Sequence, residues 1–174
     1  VSLGEFFHLK VVFLENSAKF LASFSIVMKK LTTFLLTFVF AALAHAAPPI
    51  KIEVTANDQM RFSTKKIEGK VGVPMEITIK HIGKIPKASM SHNMVILKPG
   101  AMPPMISMKC AQAKDNNYIA TDAESKAAII AYSPQLGPGE SHVIKFTPKE
   151  AGNYKYFCSF PGHFSEMQGV IVVK

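Results

Sequence analysis

From about residue 47 onward the chain predicts an all-β fold, a Greek-key β-sandwich of seven or eight strands. Three observations carry that prediction. Short segments alternate apolar and polar residues with a period of two, clusters of Gly, Pro and Asn separate them, and only residues 101–126 break the rhythm. Alternation matters because successive side chains on a strand point to opposite faces, so one buried face selects every second residue. Ile50, Ile52 and Val54 alternate with Lys51, Glu53 and Thr55, and Met75, Ile77 and Ile79 alternate with Glu76, Thr78 and Lys80. Five further strands are expected over His92–Leu97, Ala127–Tyr132, His142–Phe146, Asn153–Cys158 and Gln168–Val173. Turns fall at Gly69 to Pro74, Gly83 to Pro86, Gly137-Pro138-Gly139 and Ala151-Gly152-Asn153, and antiparallel pairing is expected throughout. The stretch 101–126, which carries Met102, Met105 and Met108 before a polar run, reads as an insertion with a short helix on the side of the barrel.

The 174 residues suffice for one domain and not for two of similar size. Residues 28–46 have the layout of a secretory signal peptide: Met28-Lys29-Lys30, the apolar run Leu31 to Ala44, and Ala44-His45-Ala46 as a small-x-small cleavage site. A run of 14 residues, three of them Thr, falls short of the roughly 20 that span a bilayer. Residues 1–27 read as an upstream extension, with a long leader or a second apolar anchor over Phe20 to Val27 as the alternative. The working domain is therefore 47–174, and its expected location is the periplasm, with no stable membrane association once the signal is removed. The whole chain has 20 Lys and Arg against 12 Asp and Glu; without Lys10, Lys19, Lys29, Lys30, Glu5 and Glu15 the domain keeps 16 against 10, a charge of +6. Its lysines are scattered, with no run longer than Lys65-Lys66 and no arginine interleaved with aromatics. That pattern gives mild steering toward acidic partners and argues against nucleic-acid binding.

The chemistry concentrates in Phe157-Cys158-Ser159-Phe160-Pro161-Gly162-His163-Phe164-Ser165-Glu166-Met167. A thiolate, an imidazole and a thioether share one loop between two strands, and Pro161-Gly162 is the bend that returns His163 toward Cys158. A fourth donor is available at His92, 66 residues upstream of Cys158. His92, Cys158 and His163 as a trigonal set, with Met167 as a weak axial ligand, make the donor pattern of an electron-transfer copper site. Two other readings stay open at this point. An exported domain with two cysteines can join Cys110 to Cys158 in a disulfide, and a Cys/His pair can act as nucleophile and base. His142 has no partner motif and reads as a surface histidine.

With these residues in view, the chain resembles the azurin family of small type 1 blue copper proteins, of cupredoxin-like fold. The resemblance runs from Asn57-Asp58-Gln59-Met60-Arg61-Phe62 through His81 to Asn93, Leu136-Gly137-Pro138-Gly139-Glu140 and the ligand loop to the C-terminal Val-Ile-Val-Val-Lys. The spacing of Cys158, His163 and Met167 is azurin-like, whereas plastocyanin-like proteins place the His after a shorter gap. The resemblance implies one copper ion per chain, held by His92, Cys158, His163 and Met167, with the Ser91 carbonyl as a weak opposite axial contact. It implies that Asn93 tethers the ligand loop and hydrogen-bonds the sulfur, that Phe160 packs beside it, and that His81 is a buried histidine that does not ligate. It implies an electron carrier rather than an enzyme, a monomer that docks c-type cytochromes or reductases at an apolar patch near His163 formed by Met60, Met90, Phe160, Pro161 and Gly162. Copper storage or delivery through the same ligands is the alternative function, and the Met102 to Met108 cluster adds the thought of a Cu(I)-loading surface. Five positions depart from the family pattern: Ile50 and Val73 stand where a disulfide is usual, Ser91 replaces a Gly, Met94 replaces a Trp, and Glu166 adds a charge beside Met167. Cys110 is expected to be a spare thiol, and an intermolecular disulfide through it requires that it be exposed.

Overall fold

The period-two segments form strands stacked as two sheets in the computed structural model, which describes residues 47–174. The signal peptide at 28–46 and the extension at 1–27 lie outside the described residues. The strands are β1 (Ile50–Asn57), β2 (Arg61–Phe62), β3 (Lys66–Gly69), β4 (Met75–His81), β5 (Val95–Leu97), β6 (Ile129–Tyr132), β7 (Ser141–Phe146), β8 (Gly152–Phe157) and β9 (Gln168–Val173). One sheet has the order β2-β1-β4-β7 and the other β3-β9-β8-β5-β6. Against the seven or eight strands expected there are nine among the described residues, and the two that match no expected segment, β2 and β3, have two and four residues, too few for alternation to reveal them.

The pairing is mixed rather than wholly antiparallel. β1 runs parallel to β4 from Ile50 opposite Met75 to Ala56 opposite His81, and β3 runs parallel to β9. The cause is the crossover: after β2 the chain adds β3 to the second sheet and returns as β4 beside β1, arriving in the same direction as its neighbour. Where the resemblance marks a missing disulfide, Ile50 packs against the core and donates its N–H to the Pro74 carbonyl at 2.8 Å.

Two clusters of buried side chains lie on either side of β5 and β8. Ile96, Tyr154 and Tyr156 face the space between the sheets with Val54, Ile77, Ile79 and Ile144, whereas Val95, Leu97 and Phe157 face outward. A short helix α1 (Lys87–Met90) precedes β5, and the insertion contributes α2 (Pro103–Gln112), a 3-10 turn (Lys114–Asn116) and α3 (Ala123–Ala128). Ile106, Cys110, Ile119 and Ala128 from the insertion cover the outward side chains. A strand covered on both faces needs no alternation, which accounts for the unbroken apolar run Val95–Leu97. The helix α3 takes Ala127 and Ala128 from the expected strand, because the Asp122 carboxylate caps it by accepting the Ser125 N–H at 3.3 Å.

Gly169 on β9 is required by close approach. A Cβ there would overlap the Tyr156 ring and meet the Lys65 carbonyl at 2.7 Å, while the Tyr156 hydroxyl is held by the Thr64 carbonyl at 2.6 Å. Gly169→Ala is expected to destabilise the domain by about 1–3 kcal/mol. A urea unfolding curve should show a lower midpoint at unchanged slope.

Candidate metal centre

The loop from Cys158 to Met167 is closed by three backbone contacts. The His163 N–H donates to the Phe160 carbonyl at 3.1 Å across a turn with Pro161 second and Gly162 third, and Gly162 has φ 83°. That is a type II turn, in which only the third position needs positive φ and Gly adopts it freely. The Met167 N–H then donates to the His163 carbonyl at 2.9 Å, and the Cys158 N–H to the Met167 carbonyl at 2.9 Å. Cys158, His163 and Met167 are thereby gathered in one compact loop, and all three are buried.

His92 arrives from a different segment. It was expected to open a strand running to Leu97, but the strand begins at Val95 and His92 stands in an isolated antiparallel bridge to Leu136. The ladder is interrupted because Ser133 takes both backbone groups of Met94, its hydroxyl accepting the N–H at 3.1 Å and its own N–H donating to the carbonyl at 3.0 Å. His92 Nε2–H donates to the Asn57 carbonyl at 2.9 Å, which leaves Nδ1 buried with no partner.

One donor atom from each of His92, Cys158 and His163 lies within 4.8 Å of the others. Cys158 Sγ is 3.7 Å from His163 Nδ1, and the His92 and His163 ring centres are 5.0 Å apart. A buried imidazole nitrogen without a partner, aimed at a thiol and a second imidazole, fits a metal ion of borderline to soft character. Burial holds both imidazoles well below the ordinary histidine range, at about 4, and in His92 the neighbouring His163 and His81 push the same way. Burial pushes the Cys158 thiol up to about 11, against the pull of the Asn93 and Phe160 N–H groups directed at its sulfur. At neutral pH the imidazoles are therefore neutral, with free lone pairs, and the thiol keeps its proton until a cation displaces it.

The surroundings hold these groups in place. Asn93 is fully buried; its Oδ1 accepts the Ser159 N–H at 2.8 Å and its Nδ2 donates to the Ser159 hydroxyl at 2.8 Å. The Ser91 hydroxyl donates to Gln135 Oε1 at 2.9 Å, and Gln135 Nε2 donates to the Ser159 hydroxyl at 3.3 Å. His81 stacks on His92 with ring centres 4.6 Å apart. Both of its nitrogens are engaged, Nε2 with the Met90 carbonyl at 2.8 Å and Nδ1 with the Gly83 N–H at 3.0 Å, so it has no lone pair to offer a metal.

Other candidates lie elsewhere. Cys110 and Cys158 are both free and buried. Cys110 belongs to the cluster under the insertion, where its sulfur accepts the Ala120 N–H at 3.4 Å and burial raises its thiol, so the exposure that an intermolecular disulfide needs is not met. His142 sits half-buried on β7, apart from the donor cluster. A further neighbour, which no sequence motif marks, comes from the insertion. Tyr118 of the insertion packs edge-on against Phe160 at 5.3 Å, and Phe160 in turn lies 4.7 Å from the His163 ring. Asn117 and Tyr118 are consecutive residues at positive φ, 52° and 58°, and only Asn117 carried a local hint of it.

A two-sheet β-sandwich enclosing two imidazoles and a cysteine defines a mononuclear metal-binding class, and comparison with known proteins makes it specific. The chain belongs to the plastocyanin/azurin family of copper-binding proteins, whose model matches residues 49–174. It is 37% identical over 128 residues to the azurin of Pseudomonas fluorescens biotype C, covering 71% of this chain and 98% of that one. Among solved structures, the azurin Az-iso2 of Methylomonas sp. strain J superposes with a TM-score of 0.63 at 33% identity, covering 72% of this chain and 98% of that one. Auracyanin A of Chloroflexus aurantiacus, described as a "blue" copper protein, superposes with a TM-score of 0.62 at 30% identity, over 72% and 99% of the two chains. The fold is thus that of the cupredoxins, and the cofactor is copper, one ion for the His92, Cys158 and His163 cluster.

Proposed function

We propose that the domain is a periplasmic electron carrier, not an enzyme, whose copper would be held by His92, Cys158 and His163, with Met167 and the Ser91 carbonyl as weaker contacts. The observation that carries this reading is enclosure: of the three clustered donors, His92 and Cys158 are fully buried and His163 keeps only 3% of its surface exposed. Bound copper supplies one-electron exchange between Cu(I) and Cu(II). Each residue has a separate task in making that exchange fast. The closed turn at Phe160–His163 and the Asn57 carbonyl behind His92 fix both imidazoles, so that little rearrangement accompanies a change of charge. The thiolate of Cys158 provides strong coupling, and its fully buried position excludes water. His163 is the electron port, because its slight exposure falls beside exposed Pro161 and Gly162 and half-buried Phe160, and the family resemblance assigns half-buried Met60 and Met90 to the same patch. Such a patch suits brief apolar docking by redox proteins such as c-type cytochromes or reductases. Among the described residues no helix is long and apolar enough to cross a membrane.

The test is to load the full chain with Cu(II), look for an intense blue thiolate-to-copper band, and then mix it with a c-type cytochrome. Rapid electron exchange in both directions supports a carrier. Slow exchange with ready loss of copper to a mild chelator would favour storage or delivery.

A second expectation follows from the protonation states. At pH 7 copper uptake should release about one proton, from Cys158 alone, since both imidazoles are already neutral. Near pH 4 each imidazole is half protonated, and release should rise to about two. Affinity therefore rises with pH between these limits, and calorimetry in buffers of differing ionisation enthalpy counts the protons directly.

A further inference from the structure

We propose that Met102, Met105 and Met108 form a second metal site, a surface Cu(I) site on α2 distinct from the enclosed centre. The helix begins Pro103-Pro104, so Met102 is its N-cap and Met105 its third residue. Side chains at those two positions are neighbours at a helix start, and Met105 and Met108 lie three apart, where Cβ atoms are about 5–6 Å from each other. The three residues therefore fall on the side of the helix away from Ile106, Ser107 and Cys110, which are buried against the sandwich. They are 62%, 44% and 66% exposed, whereas Met75, Met94 and Met167 are fully buried in the core. Packing accounts for the second group and not for the first, since a solvated helix face is ordinarily built from charged and polar residues.

The donor set selects the ion. Three neutral, soft sulfurs with no imidazole or carboxylate between them in the sequence favour Cu(I) over Cu(II) or Zn(II). The one cation within α2 does not oppose it strongly: the Lys109 ammonium is paired with Asp122 at 3.0 Å and Glu124 at 2.5 Å. The site binds and releases Cu(I) without a redox step, and its exposure allows exchange that the buried centre does not. This inference does not depend on the carrier reading.

The test uses the full chain already loaded with one copper, reduced under anaerobic conditions and titrated with Cu(I) against a chromophoric chelator. A second, weaker Cu(I) equivalent is expected, and three methionine methyl resonances should move as it binds. In the triple variant Met102→Leu, Met105→Leu, Met108→Leu, which conserves volume at exposed positions, that equivalent should weaken by at least roughly 100-fold. The first equivalent and the blue band should be unchanged. Absence of a second equivalent in the native chain, or its survival in the triple variant, would overturn the proposal. So would a dimer that forms without Cu(I) and dissociates in the variant, because the face would then be an interface between copies. Loss of the blue band in the native chain counts against the enclosed centre alone, and the methyl shifts still report the second site.

Discussion

Copper-loaded Cys158→Ser is expected to lose the blue band completely and to bind copper at least roughly 100-fold more weakly than the native domain. A serine hydroxyl cannot ionise under conditions where the Cys158 thiol yields its proton to a metal, and it is a harder donor that no longer suits Cu(I). Two imidazoles then remain, His92 and His163, in a site built for three donors. The apo fold should change little. The Asn93 and Phe160 N–H groups that point at the sulfur can both donate to a hydroxyl oxygen instead. Absorption and the copper hyperfine splitting report the lost thiolate, while thermal unfolding with and without copper reports the lost stabilisation by bound ligand. Cys110→Ser is the control: its sulfur lies in the cluster beneath the insertion, and the band should be unaltered. A blue band that persists in Cys158→Ser would remove the ligand assignment.

The donor loop was legible because its constraints are local. Pro161-Gly162 specifies a type II turn at one place, and that turn brings His163 back to Cys158 whatever the rest of the sheet does. The long strands β1, β4 and β7 were legible for a similar reason, since one solvated face imprints alternation on the sequence. Strand direction was not, because the parallel pairing of β1 with β4 depends on where the chain goes between them, through strands of two and four residues that carry no periodicity. His92 shows both sides of this. Its side chain was assigned to the site, yet its backbone belongs to a bridge and not to β5, an outcome decided by Ser133, a residue 41 positions away. Tyr118 was illegible because a bulky residue at positive φ is disfavoured locally and is held there by the insertion's own bonds, among them its N–H to the Ala113 carbonyl at 2.9 Å.

Asn93→Ala is expected to have the opposite signature to Cys158→Ser: a large loss of stability with the blue band retained. Asn93 follows His92 and Ser159 follows Cys158 in the chain, and the side chain of Asn93 joins the two segments. Ser91, Gln135 and Ser159 extend this to a buried chain of hydrogen bonds that ties the segment before His92 to the segment after Cys158. Truncation to Ala leaves the buried Ser159 N–H without its acceptor, removes one partner of the Ser159 hydroxyl and opens a small cavity. An orphaned buried donor costs about 1–3 kcal/mol, and with the cavity the loss should reach about 2–4 kcal/mol. All three clustered donors survive the change, and the backbone N–H of residue 93 can still reach the sulfur, so copper should bind and absorb in the blue. What should change is the definition of the site: broader copper hyperfine lines and slower electron exchange, because the two ligand segments are no longer strapped together. Denaturant midpoints measured on the apo and copper-loaded forms decide it. If the apo domain is as stable as the native one, the strap carries no load; if the band disappears, Asn93 holds the metal more directly than its hydrogen bonds to Ser159 imply.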